Sequence, residues 1–341
     1  MSRLTRLRPR ETEETLLRWL SEQEGTGGLI GDDAAILDGH KTVVTVDSQV
    51  AGTHFPADLD SRVLAERLLA VNLSDLAAMG ARPTHGFLAL VADIDFDHRD
   101  FFGALLPACR RAEVTLAGGD LASGPATTLS LTLIGRRWPR SRGFVRRDTA
   151  RPGDRLWIGP GSLGESAIGC ALALQGGRLR GRRCHLPPGL PARFTRSARA
   201  ALRRHFAPRP QLELGRWLAS RNRAAATDIS DGLGRDLHQL CEASGVGAVV
   251  ESDRLPIPTD LSRLAAALDL DPLELAIGGG EDYNLLFTLG PHITPPSGLG
   301  ALNIGTIDAT NELRLCMPDE TILPIPNTGF DHLTTLDHGP G

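Results

Sequence analysis

The sequence predicts a two-domain protein of the α/β class, in its α+β form, and three observations lead there. Its 341 residues exceed what one hydrophobic core ordinarily serves. Strand-like and helix-like segments interleave along the chain, which defines a mixed class. Between 146 and 160 the stretch "RRDTARPGDRLWIGP", punctuated by Pro152 and Gly153, reads as a junction followed by the first strand of a new unit. The domains are accordingly expected at 1–145 and 146–341, meeting across a cleft.

Acidic "ETEETLLRWLSEQ" (11–23) has helical periodicity, and "TVVTVDS" (42–48) is a β-branched run that reads as a buried strand. A long helix is expected from Ser61, its N-cap, to a stop at Gly80 and Pro83. A strand at 86–92, a helix from Asp97 to about Ala112, a strand at 114–120 and an alternating strand at 127–137 complete the first half. The second half opens with a glycine-rich turn into a helix (159–174), then Pro-rich loops near 187–191 and 208–210. A helix (211–221), a strand running into "TDISDGL" (227–233), a helix to about Ala243 and a strand at 283–289 follow.

Hydrophobic residues at 41% and charged residues at 23% are ordinary for a soluble globular protein. A net charge of -4 supplies no basic field for a nucleic acid partner. The five cysteines are widely spaced and form no C-x-x-C pair, so zinc and iron–sulfur sites are not expected and a reducing compartment is. The N-terminus turns acidic before any apolar core develops, unlike a signal peptide. No apolar run approaches a membrane span. The cytoplasm is the expected location, with no membrane partner.

The acids carry the functional signal. Asp33, Asp47, Asp75, Asp120, Asp228 and Asp231 sit in small-residue or apolar contexts: "GDDAA", "VTVDSQV", "NLSDLAAMG", "AGGDLASG" and "TDISDGL". Carboxylates at strand ends and beside glycines, with no soft ligand clustered near them, suit a hard, oxygen-liganded cation such as magnesium. Asp47 reads equally as a turn cap. Asp75 is harder to set aside, because Asn72, Asp75 and Met79 share one helix face where an apolar stripe belongs. Ser230 reads as a cap for the helix after "TDISDGL", whose exposed N-terminus would also attract an anion.

Glycine clusters at 117–120, 159–166 and 277–282 let backbone amides approach an anion closely. None matches G-x-x-x-x-G-K-[ST], and Lys41, the only lysine, is remote from them, so a P-loop is excluded. Arg147, at the junction, is placed to reach into the cleft and neutralise phosphate charge. A lone His54 is by default structural.

Taken in order, "IGDDAAIL", "VDSQVAGTHF", "AVNLSDLAAMGARP", "AGGDLASGP", "RRDTARPGD", "GSLGESAIG", "TDISDGL", "GGGEDYNLLFT" and "TGFDH" resemble the thiamine-monophosphate kinase family, within the ATP-binding superfamily of aminoimidazole ribonucleotide synthetase and selenophosphate synthetase. The resemblance runs from residue 30 to 332. It implies an N-terminal mixed sheet with helices that associates into a homodimer, and a C-terminal α/β sandwich. It also implies transfer of the γ-phosphoryl group of ATP, the co-substrate, to thiamine monophosphate. Carried over by position, Asp33, Thr45, Asp47, Asp75, Asp120 and Asp228 would hold magnesium ions and Asp231 a further one. Gly119, Asp120, Arg147 and Ser230 would contact the nucleotide, with Asp47, Asp120, Arg147 and Asp231 serving catalysis. His54, Glu281 and Phe330 would line the thiamine phosphate pocket. Asp32 keeps the role of a turn or hydrogen-bonding residue that orients Asp33.

The chain departs from the family where Gly-Gly-Asp-Thr-Thr-Arg-Gly-Pro is usual and "GGDLASGP" stands, so Leu121, Ala122 and Ser123 replace two hydroxyls and a guanidinium. Two other readings stay open at this point: a related enzyme with another small-molecule acceptor, and a weakly catalytic ATP-binding regulator.

Overall fold

A computed structural model describes residues 12–23, 29–37, 39, 41–180 and 183–329; Phe330 lies outside them. The first half comprises α1 (Glu13–Ser21), β1 (Ala35–Leu37), β2 (Thr42–Val50), α2 (Ser61–Ala78), β3 (Ala81–Ala92), α3 (His98–Arg111), β4 (Thr115–Ser123) and β5 (Thr128–Arg137). Its five strands form one sheet in the order β1-β2-β5-β3-β4, antiparallel except for the β3/β4 pair. Leu88, Leu90, Leu129, Leu131 and Leu133 face Leu64, Leu68 and Leu76 of α2 and Phe101 and Leu105 of α3. The intervening residues Val46, Ser48, Phe87 and Ala89 are exposed on the other face. That is the period-2 alternation of a sheet packed on one side only.

The second half comprises β6 (Arg155–Ile158), α4 (Glu165–Leu174), the short hairpin β7 (Arg178–Arg180) and β8 (Arg183–His185), α5 (Thr195–Phe206), α6 (Leu212–Ala219), β9 (Ala225–Asp228), α7 (Leu233–Ser244), β10 (Gly247–Glu251), α8 (Thr259–Ala266), α9 (Pro272–Gly278), β11 (Leu285–Leu289), β12 (Leu302–Asp308), β13 (Leu313–Cys316) and β14 (Ile322–Pro324). Its larger sheet runs β14-β13-β10-β12-β6-β11-β9. One face packs on Leu233, Leu237 and Leu240 of α7 and Ile277 of α9. On the other, Trp157, Leu285 and Phe287 meet Leu214 and Leu218 of α6 and Ala77 and Ala78 of α2. Burial on both faces explains why β11 reads as a continuous apolar run without alternation.

The helix α2 is the shared wall. It lies against the first sheet on one side and against α6, β9 and β11 on the other, and 13 of its 18 residues are buried. Such a helix has no solvent stripe, so its polar residues must face something other than water. Gly80 ends it in a left-handed turn with φ +59°, hard against α6.

Several expectations shift. The cap of α2 is Asp60, whose carboxylate accepts from Arg62 N at 2.9 Å, one residue ahead of Ser61. The strand expected at 86–92 begins at Ala81 and passes through Pro83, which sits where a bulge interrupts the pairing with β5; there a missing N–H is tolerated. The elements β1, β7, β8, α5, α8, α9, β10 and β12 to β14 were not anticipated. Among the described residues no helix is long and apolar enough to cross a membrane.

A Cβ at residue 80 would stand 2.7 Å from Ala219 Cβ and 2.8 Å from Gly215 O. Gly80→Ala is therefore expected to lower stability by about 1–3 kcal/mol through crowding and backbone strain, read from the urea unfolding midpoint.

Candidate active site

Two sheets and one helix bring the acids together. Asp33 precedes β1, Asp47 lies within β2, Asp75 within α2 and Asp228 at the end of β9. Carboxylate oxygens of Asp33, Asp75 and Asp228 lie within 4.8 Å of one another. The backbone amide of Asp47 donates to Asn72 Oδ1 at 3.1 Å, which ties β2 to α2 beside the cluster. Buried Thr45 donates its hydroxyl to Asp75 Oδ2 at 2.5 Å. Asp33 Oδ1 accepts from Arg147 Nη2 at 2.8 Å and from Thr227 Oγ1 at 3.0 Å.

These charges oppose one another. Burial, and then the carboxylates of Asp47, Asp228 and Asp33, push the Asp75 carboxyl well above the usual range. Burial and then Asp33 do the same to Asp228. The Oδ2 atoms of Asp33 and Asp228 are buried without a hydrogen-bond partner, an arrangement that costs about 1–3 kcal/mol for each such atom unless something compensates. An all-oxygen, anionic donor set with unsatisfied atoms fits a hard divalent cation of the magnesium type.

The aspartate doublet divides its work. Asp32 Oδ1 accepts from the backbone amide of Arg147 at 2.9 Å, with Arg146 Nη2 3.5 Å from its Oδ2. Asp33 meanwhile holds the Arg147 guanidinium. Asp32 thus anchors the junction backbone and Asp33 aims the side chain that the junction carries.

Asp47, His54, Asp75, Ser230, Asp231 and Glu281 line one cleft of about 790 Å³. His54 Nδ1 accepts from Val50 N at 3.1 Å, which fixes the ring. Ser230 is not the cap of α7. The N-cap is Gly232, and the amides of Asp231 and Gly232 donate instead to Asp236 Oδ2, each at 3.1 Å. Asp231 itself stands 3.5 Å from Arg235 Nε. Glu281 receives Arg67 on Oε1 and His205 Nδ1 on Oε2, the latter at 3.0 Å. Burial works against its charged form, but the Arg67 guanidinium and the His205 hydrogen bond outweigh it and hold the carboxyl down at about 2.

Gly119 and Asp120 do not join the cluster within one chain. Asp47 pairs with Leu131, Leu131 with Leu88, and Leu88 with Gly119. Three strand spacings of about 4.8 Å put Gly119 about 14 Å from Asp47. Asp120 is in register with Ala89 and, like it, exposed. Gly119 is required locally, since an added Cβ would lie 1.8 Å from Leu88 O. Phe330 falls outside the described residues.

Arg67, His205 and Asp236 were missed in the sequence. Arg67 was within reach of the same criterion that found the aspartates, a charge in an apolar context ("LAERLLAV").

The architecture and the acid cluster define the class of protein. Residues 31–137 match the model of the AIR synthase related protein N-terminal domain, and residues 151–287 match that of its C-terminal domain. The thiamine-monophosphate kinase of Salmonella typhimurium is 37% identical over 90% of this chain and 92% of its own. The chain also superposes on AaThiL complexed with AMPPCP and TMP, with a TM-score of 0.81 and 26% identity over 94% of this chain and 97% of that one. The thiamine-monophosphate kinase from Stenotrophomonas maltophilia gives 0.68 and 32% over 88% and 94%. This chain belongs to the thiamine-monophosphate kinase branch of the AIR synthase related family.

Removing one charge from the cluster should relieve it. Asp228→Asn is expected to raise the melting temperature of the metal-free protein and to abolish the rise that magnesium produces in the unaltered chain. An equal magnesium shift in both proteins would place the ion elsewhere. Glu281 supplies a pH test. Its carboxyl is held at about 2, below the ordinary 4.5, so its stabilisation is present above that ordinary value and lost as pH falls toward the folded one. Glu281→Gln should therefore lose less stability than the unaltered protein on acidification from about pH 5 to about pH 3, measured by urea midpoints.

Proposed function

We propose that this chain transfers the γ-phosphoryl group of ATP to thiamine monophosphate, giving thiamine diphosphate and ADP. The observation that carries the reading is the cleft itself, in which the carboxylate cluster around Asp47 and Asp75 adjoins the pocket of His54 and Glu281. A close structural relative has been solved with AMPPCP and TMP. On this reading residues 1–145 carry most of the metal-binding acids and the association surface. Residues 146–341 close the nucleotide and acceptor cleft.

The acceptor is a phosphate monoester, whose second ionisation lies at about 6. Its oxygen is already nucleophilic at neutral pH, so no general base is required of the chain. Direct in-line transfer follows, with alignment and charge neutralisation as the main contributions. Asp33, Asp47, Asp75 and Asp228 would hold magnesium, with Asp231 holding a further ion. Thr45 orients Asp75 through its hydroxyl. Bound magnesium would neutralise charge on the phosphate oxygens as a Lewis acid. Arg147 adds a fixed guanidinium beside Asp33, and Ser230 stands at the turn before α7 on the nucleotide side.

The open face of the first sheet supports a homodimer. Val46 is 61% and Phe87 42% exposed there, and a second copy laid on that face would cover both. It would also enclose Gly119 and Asp120, whose place in the site on this reading depends on the partner copy. The cytoplasm is the location that fits such an activity.

The test is purified protein with magnesium, ATP and thiamine monophosphate, followed for thiamine diphosphate. Product should form without any phosphorylated protein on the path, and Asp47→Ala should lower turnover at least about a hundredfold. A phosphoenzyme that forms and decays at the catalytic rate, or full activity in Asp47→Ala, would overturn the mechanism.

A further inference from the structure

The acceptor side of the cleft is built around a buried guanidinium. Arg67, in the middle of α2, is fully buried. Its Nε donates to Gln49 Oε1 at 2.9 Å, its Nη1 to the carbonyl of His205 and its Nη2 to Glu281 Oε1. The other oxygen of Glu281 faces His205 Nδ1 at 3.0 Å, and Ser166 Oγ lies 3.3 Å from the same nitrogen. Because an ionised carboxylate only accepts, that nitrogen must carry the proton.

The backbone is pinned as firmly as the side chain. Glu281 and Tyr283 both adopt left-handed conformations, with φ +64° and +51°. Their amides donate to the carbonyls of Ser230 at 2.7 Å and Ile229 at 2.8 Å. The Glu281 side chain stays 26% exposed, and it lines the cleft with His54 and Asp47. A carboxylate braced from behind on both oxygens presents only acceptor lone pairs to the cleft. What pairs with it is a hydrogen-bond donor on the bound molecule.

We propose that Arg67 and His205 are positioning residues that fix Glu281 as an obligate hydrogen-bond acceptor, making Glu281 the specificity determinant for an acceptor molecule carrying an exocyclic amine. The inference rests on thiamine monophosphate occupying this cleft, and the aminopyrimidine ring of that molecule offers such an amine. An analogue with an oxo group in its place would set one acceptor against another, and a site with no donor to offer discriminates strongly against that.

The experiment compares kcat/KM for thiamine monophosphate and for its 4-oxo-pyrimidine analogue. The unaltered enzyme should favour the amine by at least about a hundredfold. Glu281→Gln, whose amide donates as well as accepts, should cut that preference to about tenfold or less. His205→Leu should raise KM for thiamine monophosphate about tenfold, with kcat and the KM for ATP within about twofold. His205→Asn, which keeps a donor, should restore KM. Should His205→Leu not fold, Arg67→Lys, which keeps the charge but not the fork, carries the same comparison. An unchanged preference in Glu281→Gln, or an unchanged KM in the positioning variants, would overturn the inference while leaving the kinase reading intact. If no thiamine diphosphate forms at all, the kinase reading fails by itself. Calorimetry with a non-hydrolysable ATP analogue then decides the inference separately: tighter binding of the amino form sustains it, and equal binding of the two forms overturns it.

Discussion

Buried charge of one sign is the constraint on which this structure turns. Asp33, Asp47, Asp75 and Asp228 come from three strand regions and one helix; burial and the surrounding carboxylates make ionisation of Asp75 and Asp228 harder. Such a cluster persists only where surrounding groups are fixed to receive it. Arg147, Thr45 and Thr227 supply donors, and Asp32 secures the segment that bears Arg147. The two sheets meet at this point through the apolar packing of α2 and α6 on β6 and β11, which holds the acids together against their repulsion.

A second polar centre, around Arg67, lies on the same helix. Arg67 and Asp75 are eight positions apart in the sequence, about 12 Å along an α-helix. Wedged between the two sheets, α2 acts as a ruler that sets the distance between the aspartate cluster and the brace around Glu281. A buried helix serves this purpose better than a loop would, since packing on both sides leaves it no freedom to slide.

Much of this was legible in the sequence, and the reason differs by element. The strand at β2, the run of α2 up to Gly80 and the turn at "TDISDGL" show in local pattern, because apolar period and glycine placement are local properties. The aspartates showed because a charge among small and apolar residues conflicts with its surroundings. The helix α5, "TRSARAALRRHF", did not, because its buried face (Ala198, Ala201, Leu202, His205 and Phe206) holds only two large apolar residues and its arginines imitate a solvated surface. The braces on Glu281 were hidden for a different reason. Arg67 meets it across the domain boundary and His205 from α5 within the second domain, both from distant positions in the chain, and no local pattern encodes that pairing. The displacement of Gly119 and Asp120 from Asp47 was equally invisible, since strand order, not spacing in the sequence, decides it.

The left-handed backbone at Glu281 and Tyr283 bears on how this segment can drift over evolutionary time. Each non-glycine residue so held costs of the order of 1–3 kcal/mol, a sizeable share of the roughly 5–15 kcal/mol by which a domain is stable. Gly278, Gly279 and Gly280 stand immediately before, so the remedy of glycine is close at hand. Under pressure for stability alone, substitutions at both positions would run toward it. A carboxylate and a phenol held in these conformations carry that cost in a segment that lines the cleft, where glycine would relieve the strain and remove the groups the cleft presents.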